Sequence, residues 1–397
     1  MPVPVLKRLL ELALYATSPL ATLITAPLLA RGLEPAARGQ FGVIMAVAAF
    51  FVTVGAWGQQ ELIIARAREG DLRYREHRRV ALVFGGGAAV ATLIVLLVLG
   101  LPLAGSIAGA VFVPLLVFTG LWRSLSIAGG RLRGPAFMNL ATALIRIAAL
   151  GTLVAASALD LTTAVVASQA SVVLGAVIAV LPYALRHHGA DGATGPGRSM
   201  LALGAAVIAF DVFNAVALRA DLVVLQLRTS PEQLGIYAAP ASVTTAALAL
   251  SAPFKARIQI LLVRHRPVGE MEKEILLVGI IGSLGAAALV LLAPFLVAVL
   301  FGADYAGSVL PLQILAVAVV PLLIFDLAQG ILTTLAARRQ LIVCGAFSAA
   351  ATVVAMLVLV GGPQAAVQAA IASLLSNVAS AAVTLAVALR AARSATR

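Results

Sequence analysis

Twelve stretches of this chain stay apolar for the roughly 20 residues that a helix needs to cross a bilayer. They run over about 9–30, 41–64, 80–102, 107–128, 138–158, 163–185, 201–225, 234–254, 275–299, 309–335, 341–360 and 365–389. Short polar segments separate them. The pattern predicts an all-α polytopic membrane protein with about twelve transmembrane helices. The basic residues check the count. With the first helix entered from the cytoplasm, the external loops hold only Arg31, Arg38 and Arg228, while Arg146 and Arg219 fall inside spans. Every other lysine and arginine then lands on a cytoplasmic segment, as the positive-inside bias requires. A missed or surplus helix would scramble that alternation, so both termini are expected in the cytoplasm.

The external loops Leu103–Ser106, Ser157–Thr162 and Gly361–Gln364 are too short to hold a folded domain. The cytoplasmic stretch 186–200 carries Gly189, Gly192, Gly195, Pro196 and Gly197 and reads as a flexible linker. It separates an N-terminal six-helix bundle over 1–185 from a C-terminal one over 201–397. A repeat supports the division. Glu34-Pro35-Ala36-Ala37-Arg38-Gly39-Gln40-Phe41 and Pro231-Glu232-Gln233-Leu234-Gly235-Ile236-Tyr237 both set Pro and Glu a few residues ahead of Gly-x-aromatic. Ala104-Gly105-Ser106 echoes Ala306-Gly307-Ser308 more weakly. Both members of each pair lie outside, so the halves are parallel repeats, and a site is expected between them near mid-depth.

Composition narrows the class. The 397 residues are 62% hydrophobic and 11% charged, against about a quarter charged in a soluble domain. A soluble enzyme is excluded first. The net charge of +12 follows from the positive-inside bias and does not call for nucleic acid. Cys344 is the one cysteine, and the four histidines show no ligand spacing, so neither a disulfide nor a metal site is expected. The apolar run after Lys7 and Arg8 continues to Ala30 and reads as a retained helix, not a cleaved signal.

Polar groups inside the spans are the candidate chemistry. The seventh span carries Asp211, Asn214, Arg219 and Asp221, where each charge costs on the order of 3 kcal/mol at mid-depth. Asp211, Asn214 and Asp221 fall within about 80° of helical arc, with Arg219 about 80° to the other side of Asp211. Such a face points at other helices or at a wet cavity. It reads either as a buried structural pair or as one wall of a transport pathway. In the first span Glu11, Tyr15, Ser18, Thr22 and Thr25 form a stripe, and Pro19 and Pro27 would let that helix bend. The stripe reads as cavity lining or helix contact. Arg146 lies mid-way along the fifth span with no acid one turn away. Its partner is an anionic ligand, whose oxygens suit the guanidinium fork, or Asp211 or Asp326 from another helix. Asp326 and Gln329 stand three apart on the tenth span. There is no Walker A loop, no dinucleotide fingerprint and no carboxylate pair on a water-exposed loop, so no cofactor and no catalytic centre are expected.

The stretches Ala30-Arg31-Gly32-Leu33-Glu34-Pro35-Ala36-Ala37-Arg38-Gly39-Gln40-Phe41, Arg219-Ala220-Asp221-Leu222 through Leu234-Gly235-Ile236-Tyr237, and Leu300-Phe301-Gly302-Ala303-Asp304-Tyr305 resemble the polysaccharide flippases of the multidrug/oligosaccharidyl-lipid/polysaccharide exporter superfamily. As a helix pattern the resemblance covers nearly the whole chain. It implies two six-helix bundles around a central cavity that alternates between inward- and outward-facing states. The implied cargo is a polyprenyl-pyrophosphate-linked oligosaccharide, moved to the external leaflet of a bacterial inner membrane. In that setting Arg146, Arg219, Asp211, Asn214, Asp221, Tyr15, Ser18 and Thr22 are the candidate substrate contacts. Asp211 and Asp326 are the candidates for H⁺ or Na⁺ coupling. A cation-coupled drug antiporter of the same superfamily is the alternative, and those same acids would serve it.

Overall fold

The structure, a computed structural model, describes residues 17, 21–60, 62–63, 74–128, 133–179, 198–263, 266–335 and 337–395. Helix occupies each of the twelve apolar stretches. In chain order these are α1 (21–32), α2 (Pro35–Ala56), α3 (Tyr74–Val98), α4 (Leu103–Val111), α5 (Val113–Ala128), α6 (Arg133–Ala155), α7 (Leu161–Ala179), α8 (Arg198–Arg228), α9 (Pro231–Ala247), α10 (Ala252–Val263), α11 (Val268–Leu296), α12 (Val309–Thr334), α13 (Arg338–Leu359) and α14 (Ala365–Ala395). Among the described residues nine helical stretches are long and apolar enough to span a membrane, and no strand occurs. Glu11, Tyr15 and Ser18 lie outside the described residues, as does the linker up to residue 197. Its last residues, from Arg198, already belong to α8.

Large apolar side chains face outward. Leu291 is 80% and Val358 76% exposed, a surface suited to hydrocarbon. Helix starts follow local chemistry. Pro35 and Pro231 take first helical positions, where a missing N–H costs nothing, and Ser230 caps α9 by accepting from the Gln233 N–H at 3.5 Å. Spans also break at places that the apolar pattern does not mark. A 3₁₀ turn, Leu248–Ser251, parts α9 from α10. A π turn at Val297–Phe301 ends α11 at Gly302, whose φ of 94° suits glycine alone.

The chain falls into two compact units. The first takes the described residues of Met1–Gly32 and Phe41–Ala215. Here α6 packs on α7, and α3 packs on α5 at a core of Ile63, Ala81, Val117, Leu121 and Leu125. Of the Gly85-Gly86-Gly87 run, only Gly85 makes a close approach. A Cβ there would lie 3.5 Å from Pro114 Cα, whereas Gly86 and Gly87 have nothing within 4 Å. Consecutive helical residues point about 100° apart, so one face cannot use all three. Trp57 closes α2 with φ 46° and stacks on Phe84, centroids 4.3 Å apart.

The second unit takes Leu33–Gln40 and Val216–Arg397. Its centre is α12, flanked by α11 and α14, with α13 on α14. The turn before α2 belongs to this unit: the Tyr305 hydroxyl donates to Leu33 O at 3.1 Å. Gly39 and Gly235, equivalent in the repeat, pack against each other. A Cβ on Gly39 would sit 2.8 Å from the Gly235 nitrogen, and a Cβ on Gly235 would run into the Pro35 carbonyl.

Candidate functional site

The second unit contains a recess of about 580 Å³, open mouth included, with Arg219, Asp221, Thr244, Thr352, Ser376 and Asn377 in its wall. Helix α8 supplies the charged pair. Helices α9, α13 and α14 supply hydroxyls and an amide. Asp221 is held in place. Its Oδ1 accepts from the Leu222 N–H at 2.8 Å, and its Oδ2 from the Tyr237 hydroxyl at 2.5 Å. The Tyr237 hydroxyl also meets Ser373 Oγ at 2.9 Å. Tyr237 is 1% exposed, so this carboxylate is tied to α9 and α14 by a buried relay.

Arg219 is half-buried, lines the same recess and makes no hydrogen bond or ion pair among the described residues. The field of Asp221, two residues along α8, acts on it. Its donors have no protein acceptor among the described residues. Asn377 donates to Ala318 O at 3.4 Å through Nδ2, which leaves its carbonyl oxygen for other partners.

The other residues expected from the sequence lie elsewhere. Asp211 and Asn214 share α8 with Arg219 and Asp221 but belong to the first unit, both half-buried. Thr22 lies half-buried on α1, and its carbonyl accepts from the Thr25 hydroxyl at 3.4 Å. Among the described residues Arg146 does not pair with Asp211. Its Nε donates to Ser171 Oγ at 3.2 Å and its Nη2 to Ser168 O at 3.4 Å, tying α6 to α7. Asp326 is taken by a residue the charge count had assigned to a loop. Lys255 Nζ lies 2.8 Å from its Oδ1, and the Ser251 hydroxyl donates to Oδ2 at 2.7 Å. Tyr237 carried a sequence signal, the Gly-x-aromatic of the repeat. Ser373, Ser251 and Lys255 carried none. No cluster of three metal-ligating side chains occurs among the described residues.

The described residues thus form an all-helical body with nine candidate membrane spans and one polar recess in its second unit. Residues 9–258 match the family of polysaccharide biosynthesis proteins, and the chain belongs to that family. Comparison with curated proteins gave no match. Among solved structures, an inward-facing multidrug-resistance MATE transporter of the MOP superfamily superposes with a TM-score of 0.74 at 15% identity, covering 97% of this chain and 98% of that one. The lipid II flippase MurJ, in an inward closed conformation, gives 0.72 at 10% identity, covering 96% and 87%. A MOP-superfamily transporter from Pyrococcus furiosus, described with a binding pocket of reversed polarity, gives 0.56 at 14% identity, covering 98% and 97%. The fold is that of MOP-superfamily transporters.

Proposed function

We propose that the protein is an alternating-access flippase. It moves a polyprenyl-pyrophosphate-linked oligosaccharide from the cytoplasmic to the external leaflet of a bacterial inner membrane, for surface polysaccharide synthesis. The observation that carries this reading is Arg219, a cation with no protein acceptor among the described residues, set among hydroxyl and amide groups in an open recess. A diphosphate offers oxygens for the guanidinium fork, and sugar hydroxyls suit the Thr244, Thr352, Ser376 and Asn377 wall. Unaided, the head group would be desolvated at several kcal/mol per charge, while the lipid tail never needs to leave hydrocarbon. The family's description and the likeness to a lipid II flippase favour this cargo. Arg146, Asp211, Asn214, Thr22, Tyr15 and Ser18 are the further proposed contacts. The reaction breaks no bond, so the protein is a carrier and not an enzyme.

A second reading, a cation-coupled antiporter of small molecules, is favoured by Asp221 in the recess wall and by the likeness to a multidrug transporter. Expression in a flippase-null strain separates the two. Restored surface polymer with unchanged drug resistance is the expected result; resistance without polymer overturns it. Polymer export should also follow an imposed H⁺ or Na⁺ gradient. Asp211→Asn should remove that dependence, and a response unchanged by Asp211→Asn would move coupling to another group.

Both termini are proposed to be cytoplasmic. In a Cys344→Ala background, cysteine at Gly361 should react with an impermeant maleimide added to intact cells, and cysteine at Gly269 should not. Both positions are exposed with nothing within 4 Å of a Cβ, so side of the membrane decides the outcome. The reverse pattern would overturn the orientation.

A further inference from the structure

Helix α10 is joined to α9 by only the 3₁₀ turn Leu248–Ser251, and 3₁₀ geometry frees backbone carbonyls at a bend. The Ser251 hydroxyl lies 2.6 Å from one of them, Leu248 O, and 2.7 Å from Asp326 Oδ2 on α12, so its one proton serves either acceptor. One turn further, Lys255 lays its ammonium on Asp326 Oδ1. Its stem runs over Gly330, one turn beyond Asp326. A Cβ there would lie 2.8 Å from Lys255 Cγ and 3.0 Å from Cε. A second acid grips the same helix: Arg257 Nε lies 2.9 Å from Glu274 Oε1 on α11. The other oxygen of Glu274 is buried with no hydrogen-bond partner among the described residues.

The placement of this clasp relative to the recess gives it a consequence. Leu248 and Leu322 both line the recess. Ser251 follows Leu248 by one 3₁₀ turn, and Asp326 follows Leu322 by one helical turn. The clasp therefore stands one turn beyond the part of the wall that those two leucines supply. The Lys255 and Asp326 side chains are 32% and 26% exposed, so water can take the place of either partner.

We propose that α10 is a hinged arm, pivoting on Leu248–Ser251 and latched onto α12 by Asp326 through Lys255 and Ser251, and that unlatching opens this end of the recess. Glu274 acts as a second catch through Arg257. The latch is a conformational device of the carrier whatever its cargo, and its test needs no substrate.

The test uses purified full-length protein in detergent, with Cys344→Ala and Leu248→Cys, and reads the rate of reaction with a polar maleimide. Asp326→Asn should raise that rate about 10-fold, since local opening is governed by the few interactions that hold a segment down. Gly330→Ala should also raise it with every charge retained, because the added methyl displaces the Lys255 stem. Adding Glu274→Gln to Asp326→Asn should raise it further. The swap of Lys255→Asp with Asp326→Lys should return it toward the starting value. Hydrogen exchange separates unlatching from unfolding: amides of Ala252–Val263 should exchange faster while those of Ala365–Ala395 do not change. An unchanged labelling rate in both Asp326→Asn and Gly330→Ala, or exchange rising equally in the two segments, overturns the latch.

Discussion

Arg219→Ala should abolish polymer export in the complementation assay while the protein reaches wild-type abundance. The two halves of that result have separate causes. Charge-assisted hydrogen bonds contribute about 1.5–3 kcal/mol each, so losing a two-pronged grip on a diphosphate implies a fall of more than ~100-fold in loading. Abundance should hold because two hydrogen bonds still hold Asp221 when the charge of Arg219 is gone. Its carboxylate already accepts from the Leu222 N–H and the Tyr237 hydroxyl. Arg219→Lys should restore part of the export, since charge survives and the fork does not. Tyr237→Phe tests the complementary half, because it leaves a carboxylate oxygen short of its donor in a buried place. It should lower the melting temperature of the purified protein, and Arg219→Ala should not. Normal export by Arg219→Ala at normal abundance would remove this arginine from the head-group site. Loss of the protein itself would make its role structural.

Arg146 is expected to behave differently, and the contrast comes from its surroundings. Its guanidinium ties α6 to α7 through Ser171 and Ser168, so alanine there removes helix contacts as well as charge. The sequence showed an intramembrane arginine with no acid one turn away. It could not show that two serines on the next helix would satisfy part of it.

The helices were legible because apolar length is a property of contiguous residues, and hydrocarbon imposes it on each span separately. The polar face of α8 was legible for the same reason: Asp211, Asn214, Arg219 and Asp221 share one helix, and helical angle follows from spacing. What each acid would meet was not legible. Asp326 and Lys255 are 71 residues apart, and Lys255 had been counted with the loops because the break at Leu248–Ser251 leaves no mark in an apolar run. Tyr237 meets Asp221 across the turn between α8 and α9, a pairing set by the register of two helices and not by either one. The edge of the first unit shows the same limit: Ala215 falls in the middle of a continuous helix, where composition does not change.

The repeat carries the second large effect. Gly235→Ala should destabilise the protein, although alanine is the better helix former by roughly 1 kcal/mol. A methyl at Gly235 would strike the backbone carbonyl of Pro35. That atom belongs to the first turn of α2 and cannot rotate away as a side chain would. Overpacking against groups that cannot move costs about 1–3 kcal/mol or more, which outweighs the gain in propensity. Gly39→Ala should follow in the same direction, since its methyl would meet the Gly235 nitrogen and Leu234 Cγ, each 2.8 Å away. Gly279 on α11 supplies the control: nothing lies within 4 Å of a Cβ there, so only propensity acts and alanine should leave stability equal or raised. The measurement is thermal unfolding in detergent of the three single variants beside wild type. The expected result is a fall for Gly235→Ala and Gly39→Ala and none for Gly279→Ala. If Gly235→Ala melts with Gly279→Ala, the starts of α2 and α9 do not meet in the tight contact described, and the shared glycine of the repeat has some other cause.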